Sequence, residues 1–401
     1  MSFLYWLRNR TSTRVPRGRT LHQPVAPRFR PRLEALEDRW MPSTLTVTNN
    51  LDSGPGSLRA EIAAAQNTDT IVFAPSLNGQ TITLTSGELL ISTGVTIQGP
   101  HVTINCGLSR VFEVNASQPV VLSGLGFGGV SSSNGGGILN HTTLTINGCT
   151  IYNSFANTYG GAIYNSGTLT INQCSLSYNT AYSGAGIANG IGTGGTATLT
   201  NCTLDHNNAN NDGGGIANGG TATLTNCTFA KNTAQYGGAL FVDGNATATL
   251  TNCTLSLNTA YEAHAGGGIY VNPYNGQATL NLINTIVAGN TLGNGVIFAS
   301  GVDIFGAVAT ANHNLVGDGE GSSGLFNGAN GNIVGGNGMG LINAGLRPLG
   351  NYGGPTHTMA LYSWSRAIGH ADNAQAPAKD ERGVTRLDEP GELTDIGAFE
   401  L

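Results

Sequence analysis

The chain reads as all-β, a single-stranded parallel β-helix with a short capping helix near its N-terminus. Three observations carry this. First, a motif recurs on a cysteine: Asn147-Gly148-Cys149-Thr150-Ile151, Asn172-Gln173-Cys174-Ser175-Leu176, Thr200-Asn201-Cys202-Thr203-Leu204, Thr225-Asn226-Cys227-Thr228-Phe229 and Thr251-Asn252-Cys253-Thr254-Leu255. Successive cysteines lie 25, 28, 25 and 26 residues apart, and Ile283-Asn284-Thr285-Ile286-Val287 repeats the motif with threonine. Second, an asparagine stands five residues past each of these positions from the second copy onward: Asn179, Asn207, Asn232, Asn258 and Asn290; in the first copy Asn153 comes one place early. Third, each unit closes on glycines and an apolar residue, as in Gly135-Gly136-Gly137-Ile138, Gly160-Gly161-Ala162-Ile163, Gly213-Gly214-Gly215-Ile216, Gly237-Gly238-Ala239-Leu240 and Gly266-Gly267-Gly268-Ile269.

Within one unit, strict alternation would set Leu199 and Leu204 on opposite faces. A bend at Asn201 removes the conflict, because asparagine tolerates left-handed backbone angles. Ala197 and Leu199 then point inward from one strand, Cys202 and Leu204 from the next. The asparagine column is placed to form an amide ladder. The glycines allow a sharp corner and close approach of coils before a third strand. Threonine, asparagine and glycine are poor helix formers, which argues against a helical solenoid.

The six cysteines occur singly, without C-x-x-C pairs or nearby histidines at metal spacing. Stacked inward, they act as small hydrophobes. A disulfide between coils is the competing reading, and metal binding a weaker one. Charged residues make up 10% of the chain, against about 25% in ordinary globular proteins. At this period the length allows roughly a dozen coils, a stack of about 55 Å.

Residues 1–43 form a basic leader. Nine of the 17 basic residues are arginines within its first 42 positions, against Glu34, Glu37 and Asp38, so the leader is +6 and the rest of the chain −12. It holds no lysine and no folded motif, so the reading excludes nucleic acid as a partner. Phe3-Leu4-Tyr5-Trp6-Leu7 is too short for a standard secretory apolar region, and no transmembrane stretch occurs. Residues 44–110 read as an N-terminal cap and first coils. Ser57 N-caps a helix through Leu58, Ile62 and Ala65, and strands follow at Asp69–Phe73, Gln80–Leu84 and Gly94–Gln98. Residues 111–310 are the repeat coils, and 311–401 the C-terminal coils and terminal motif.

Arg32-Leu33-Glu34-Ala35-Leu36-Glu37-Asp38-Arg39-Trp40-Met41-Pro42-Ser43 resembles the L-E-x-L-E-x-R-x-x-P-S leader of bacterial surface proteins, which implies export. Asp52-Ser53-Gly54-Pro55-Gly56-Ser57-Leu58-Arg59, Asp69-Thr70-Ile71-Val72-Phe73 and Leu77-Asn78-Gly79-Gln80-Thr81-Ile82 resemble the start of the choice-of-anchor Q family. Its end is matched by His313-Asn314-Leu315-Val316-Gly317, Asn351-Tyr352-Gly353-Gly354-Pro355-Thr356-His357-Thr358, Arg382-Gly383 and Asp395-Ile396-Gly397-Ala398-Phe399-Glu400. The glycine-rich repeats are also similar to those of polymorphic outer-membrane proteins. The resemblance implies a right-handed, pectin-lyase-like β-helix at a bacterial surface or outside the cell, with no established activity and no cofactor. Two departures stand out. Ala367-Ile368-Gly369-His370-Ala371 replaces the family's A-I-D-A-G, and no anchoring segment follows the terminal motif.

Chemistry is sparse. A uronate lyase needs an arginine or lysine base with carboxylates holding Ca²⁺, yet Lys231 is the one basic residue between Val111 and Leu346. A hydrolase needs carboxylates at set separation. Asp205, Asp212 and Glu262 are the weak catalytic candidates, set against a reading as solvated corner residues. Asp205-His206 is discounted because adjacent strand residues face opposite sides. Asp318 and Glu320 are weak calcium candidates, with a plain turn as the favoured alternative. Tyr159, Tyr182, Tyr236 and Tyr261 fall between the asparagine column and the glycines, and a row of them would suit sugar rings; turn packing is the alternative. The sequence therefore predicts an exported, non-catalytic β-helix binding glycans or a partner surface, with a polysaccharide lyase or hydrolase as the second reading. The acidity of the body disfavours anionic polymers.

Overall fold

The computed structural model describes residues 41–131, 133–293, 302–336, 338–386 and 392–401. The arginines and acidic residues of the leader fall outside them. The chain divides into two units, Met1–Met41 and Pro42–Leu401. The second is a parallel β-solenoid of about 11 turns with very little helix.

The coil at residues 196–218 represents the rest. Its strands are Thr196–Thr200, Thr203–Asp205, Asn208–Ala209 and Ile216–Asn218. Three left-handed corners separate them, at Asn201 (φ +55°), His206 (φ +53°) and Gly213 (φ +58°). The predicted bend at Asn201 is thus present. It recurs at Gly148, Gln173, Asn226, Asn252 and Asn284, always one residue before the cysteine position. Each strand pairs in parallel with its counterpart in the next coil, so that Leu199, Leu224, Leu250 and Leu282 form one column. Ala197, Leu199, Cys202 and Leu204 are all buried as expected, and all six cysteines are buried free thiols.

Three strands per unit were expected, and a fourth is present. The extra one is a two-residue strand whose inward residue is alanine in successive coils: Ala156, Ala181, Ala209, Ala234 and Ala260. The asparagine ladder explains it. Asn207 Nδ2 donates to Asn232 Oδ1 at 2.9 Å and to Leu176 O at 2.9 Å, pulling the amide inside the corner. Only a small side chain then fits beside it. The ladder runs Asn179, Asn207, Asn232, Asn258, Asn290, each step 2.9 Å. It ends on Asp303, whose Oδ1 accepts from Asn290 Nδ2 at 2.8 Å. In the first copy Ser154, not Asn153, takes the ladder position, its backbone N–H donating to Asn179 Oδ1 at 2.9 Å.

At the N-terminal end, the strand Thr44–Val47 pairs with Thr70–Phe73, so the first rung precedes the helix in the chain. Helix α1 (Leu58–Ala64) starts on Ser57, whose hydroxyl accepts from Ala60 N at 3.2 Å. Leu58 and Ile62 join the main core, the cap that a solenoid end requires.

After the last paired strand, Ile333–Val334, the chain turns back. The described residues from Ile342 onward run across the outer face of the second-strand stack. Outward-facing Ile286, Leu315 and Ile333 meet Ala360, Leu361, Ala367, Ile396 and Phe399 in a separate core. Polar groups pin the same contact: Ala398 N donates to Thr254 Oγ1 at 3.0 Å, and Asn226 Nδ2 to Lys379 O at 2.8 Å. Arg386 is buried there, donating to Glu400 Oε2 at 2.8 Å and to Asn226 Oδ1 at 3.0 Å. The predicted terminal motif therefore closes a surface of the solenoid.

Candidate functional site

Asp205, Asp212 and Glu262 do not converge. Asp205 sits beside the second corner of its coil, its Oδ2 2.7 Å from His206 Nδ1. This corrects the expectation that the two side chains diverge: the left-handed backbone at His206 turns its ring back toward the strand. Asp212 and Glu262 share another corner with Tyr236 between them, two coil rises or about 10 Å apart. Asp212 Oδ2 accepts from Ser183 Oγ at 3.1 Å and Asn211 Nδ2 at 2.8 Å. Burial pushes its pKa up from the usual carboxylate value. Glu262 Oε1 accepts from Gln235 Nε2 at 3.0 Å. Asp318 Oδ1 accepts from Glu320 N at 3.1 Å, which closes the turn locally. Among the described residues no group of three or more His, Cys, Asp or Glu is placed to hold a metal.

Nor do the four tyrosines form one row. Tyr159 aligns with Ser183, and Asp212 with Tyr236, while Tyr182 lies in the neighbouring column with Asn210. Gln235 and Tyr261 continue that second column. The reason is phase: Tyr159 and Tyr236 directly precede the corner glycine, whereas Tyr182 and Tyr261 stand further back. Tyr159 and Tyr236 lean on Tyr164 and Tyr270, with ring centroids 6.3 and 5.2 Å apart. Tyr182 and Tyr261 point outward.

A different row does form. The second corner carries Asn153, Tyr178, His206, Lys231 and Leu257 in successive coils, every one with positive φ. A left-handed conformation costs a side chain with Cβ about 1–2 kcal/mol, and it turns each of these residues outward. Tyr178 is exposed and stacks on His206 at 4.6 Å, with the rings 13° apart. The row then enters a groove of about 700 Å³ between the solenoid and the folded-back C-terminal segment. Lys231, Leu257 and Gly289 form its solenoid wall; Leu341, Arg347 and Tyr362 stand among the residues opposite. Arg347 lies over the Tyr362 ring, 5.1 Å from its centroid. Tyr362 in turn stacks on Trp364 at 5.6 Å and 7°, and Trp364 is 59% exposed. Periodicity points to neither wall: the row is set by a backbone conformation at one corner, and Arg347, Tyr362 and Trp364 stand outside the repeats.

Residues 129–314 match the family model described as the right handed beta helix region. Among solved structures, the crystal structure of pectate lyase Pel9A is similar, with a TM-score of 0.51 and 11% identity over 89% of this chain and 96% of that one. No curated protein matches the chain. At that identity the likeness concerns the fold. The chain folds as a right-handed parallel β-helix.

Proposed function

We propose that the protein is an exported, non-catalytic β-helix of the bacterial surface or extracellular space that binds glycan chains along the second corner and in the groove it enters. The observation that carries this reading is the exposed Tyr362–Trp364 stack beside an open groove. Flat aromatic faces with polar edges suit the apolar faces of sugar rings. Tyr178 and His206 extend the surface along the coils. The separation of Asp205 from Asp212 and Glu262 supports a binding role over hydrolysis. Export rests on the leader resemblance.

Retention of the full-length protein on immobilised polysaccharides, read by affinity electrophoresis, tests the proposal. Exchanging both Tyr362 and Trp364 for alanine is expected to weaken retention at least tenfold with the circular dichroism unchanged. Unaltered retention of that variant rejects the groove as the binding surface.

The likeness to a pectate lyase in fold favours a second reading, a polysaccharide lyase. Incubation with a panel of uronate polymers, with and without Ca²⁺, separates the two: unsaturated or new reducing ends would establish cleavage.

A further inference from the structure

We infer that the groove selects glycans bearing acid groups, with Lys231 and Arg347 as the residues that meet the anions; this rests on the glycan-binding reading above. Total charge points the other way, since the chain beyond its leader is −12. Placement decides otherwise. That part of the chain has eight cations: Arg59, Arg110, Lys231, Arg347, Arg366, Lys379, Arg382 and Arg386. Arg59, Arg110, Arg382 and Arg386 are held in ion pairs with Asp52, Glu88 and Glu113, Asp380, and Glu400. Among the described residues no carboxylate pairs with Lys231, Arg347, Arg366 or Lys379, and of these four Lys231 and Arg347 line the groove.

Lys231 and Arg347 face one groove from opposite walls, and none of the residues lining it is acidic. The acid one coil away on the solenoid side, Asp205, is turned onto His206. Lys231 occupies its corner with φ +57°, a conformation that asparagine or glycine would adopt at lower cost. Arg347 is oriented by the Tyr362 face, which leaves its planar fork free to bind an oxyanion in two-point fashion. Cations on both walls beside an aromatic platform match a chain whose rings stack while its carboxylates or sulfate esters meet the cations.

The test measures full-length protein, in EDTA, against three polymers: polygalacturonate for carboxylates, dextran sulfate for sulfate esters, and neutral dextran. Isothermal titration calorimetry reports binding. At least one acidic polymer is expected to bind ten times or more tightly than dextran, with affinity falling as salt rises. Lys231→Ala and Arg347→Ala are each expected to weaken that binding about fivefold, and Lys231→Arg to retain it. Both side chains are exposed, so the variants keep the fold. The better of the two acidic polymers identifies which anion the site takes. Dextran binding as tightly as both acidic polymers, or an unaffected Lys231/Arg347 double alanine variant, overturns the inference and leaves glycan binding intact. Failure of all three polymers to bind overturns both.

Discussion

Thr228 Oγ1 donates to Glu381 Oε2 at 2.5 Å across 153 residues of chain, joining the solenoid wall to the C-terminal segment folded over it. Thr203 and Thr356 hydroxyls reach the other carboxyl oxygen, each at 3.2 Å. Glu381 is fully buried, and burial pushes its pKa up to about 8 despite these hydrogen bonds. The carboxyl acts as a polar staple between two otherwise separate surfaces.

That staple makes stability depend on pH. The unfolded chain releases the Glu381 proton near the ordinary value of 4.5, the folded chain near 8. The stability it contributes is therefore complete below about 4.5, declines as pH rises, and is lost above about 8. Asp303 and Glu400, each pushed by burial to about 7, act in the same direction. Urea denaturation from pH 5 to 8 should show falling stability. Glu381→Gln should flatten the slope by about one proton, roughly 1.4 kcal/mol per pH unit. Identical slopes would remove Glu381 from this role.

Asn207→Ala is expected to destabilise by roughly 2–5 kcal/mol, since it deprives several buried groups of partners. Asn179 N and Nδ2 lose their acceptor, and Asn232 Oδ1 and Leu176 O lose a donor. The loss should appear in the denaturation midpoint and as faster hydrogen exchange at the Asn179 amide. An exchange rate equal to the native one would contradict a cooperative ladder.

Glycines in the clusters differ in what they tolerate. A Cβ on Gly238 would lie 2.4 Å from Gly267 O and 2.6 Å from Thr259 O, both rigid backbone. Gly238→Ala should thus cost several kcal/mol or prevent soluble expression, as overpacking does at about 1–3 kcal/mol even where neighbours can move. Gly148, with φ +58° and nothing within 4 Å, should accept asparagine within about 1 kcal/mol. Thermal melts of the two variants compare them directly, and equal melting temperatures would refute the distinction.

Leu257 holds φ +62° and is 44% exposed. Leu257→Asn should stabilise by about 1 kcal/mol, because asparagine meets the left-handed corner at less cost and loses little packing. A lower melting temperature would show that the Leu257 side chain contributes more in its groove wall than its backbone strain takes away.

Much of the architecture was legible because a solenoid repeats local rules. The bend at Asn201, the inward Leu199 and Cys202, and the amide column at Asn207 all follow from periodicity and residue chemistry. A second amide ladder is equally legible in the Ile-x-Asn triplets. Asn140 Nδ2 donates to Asn165 Oδ1, Asn165 Nδ2 to Asn189 Oδ1 and Asn189 Nδ2 to Asn218 Oδ1, at 2.7, 2.7 and 2.8 Å. Each ends an Ile-x-Asn triplet just after the glycine cluster. The tyrosine row failed for a reason spacing conceals. Coils of unequal length set Tyr182 and Tyr236 at different phases to the corner glycine, and phase decides the column.

By itself the sequence determined the coil, since inward and outward faces, corners and ladders depend on residues within one repeat and its neighbour. The tertiary structure alone decided what covers the coil. Glu381 meets Thr228, and Arg347 faces Lys231, because a segment without periodicity folds back over a surface the repeat built. Such contacts join residues more than a hundred positions apart, and no local preference encodes which outward face the segment will bury.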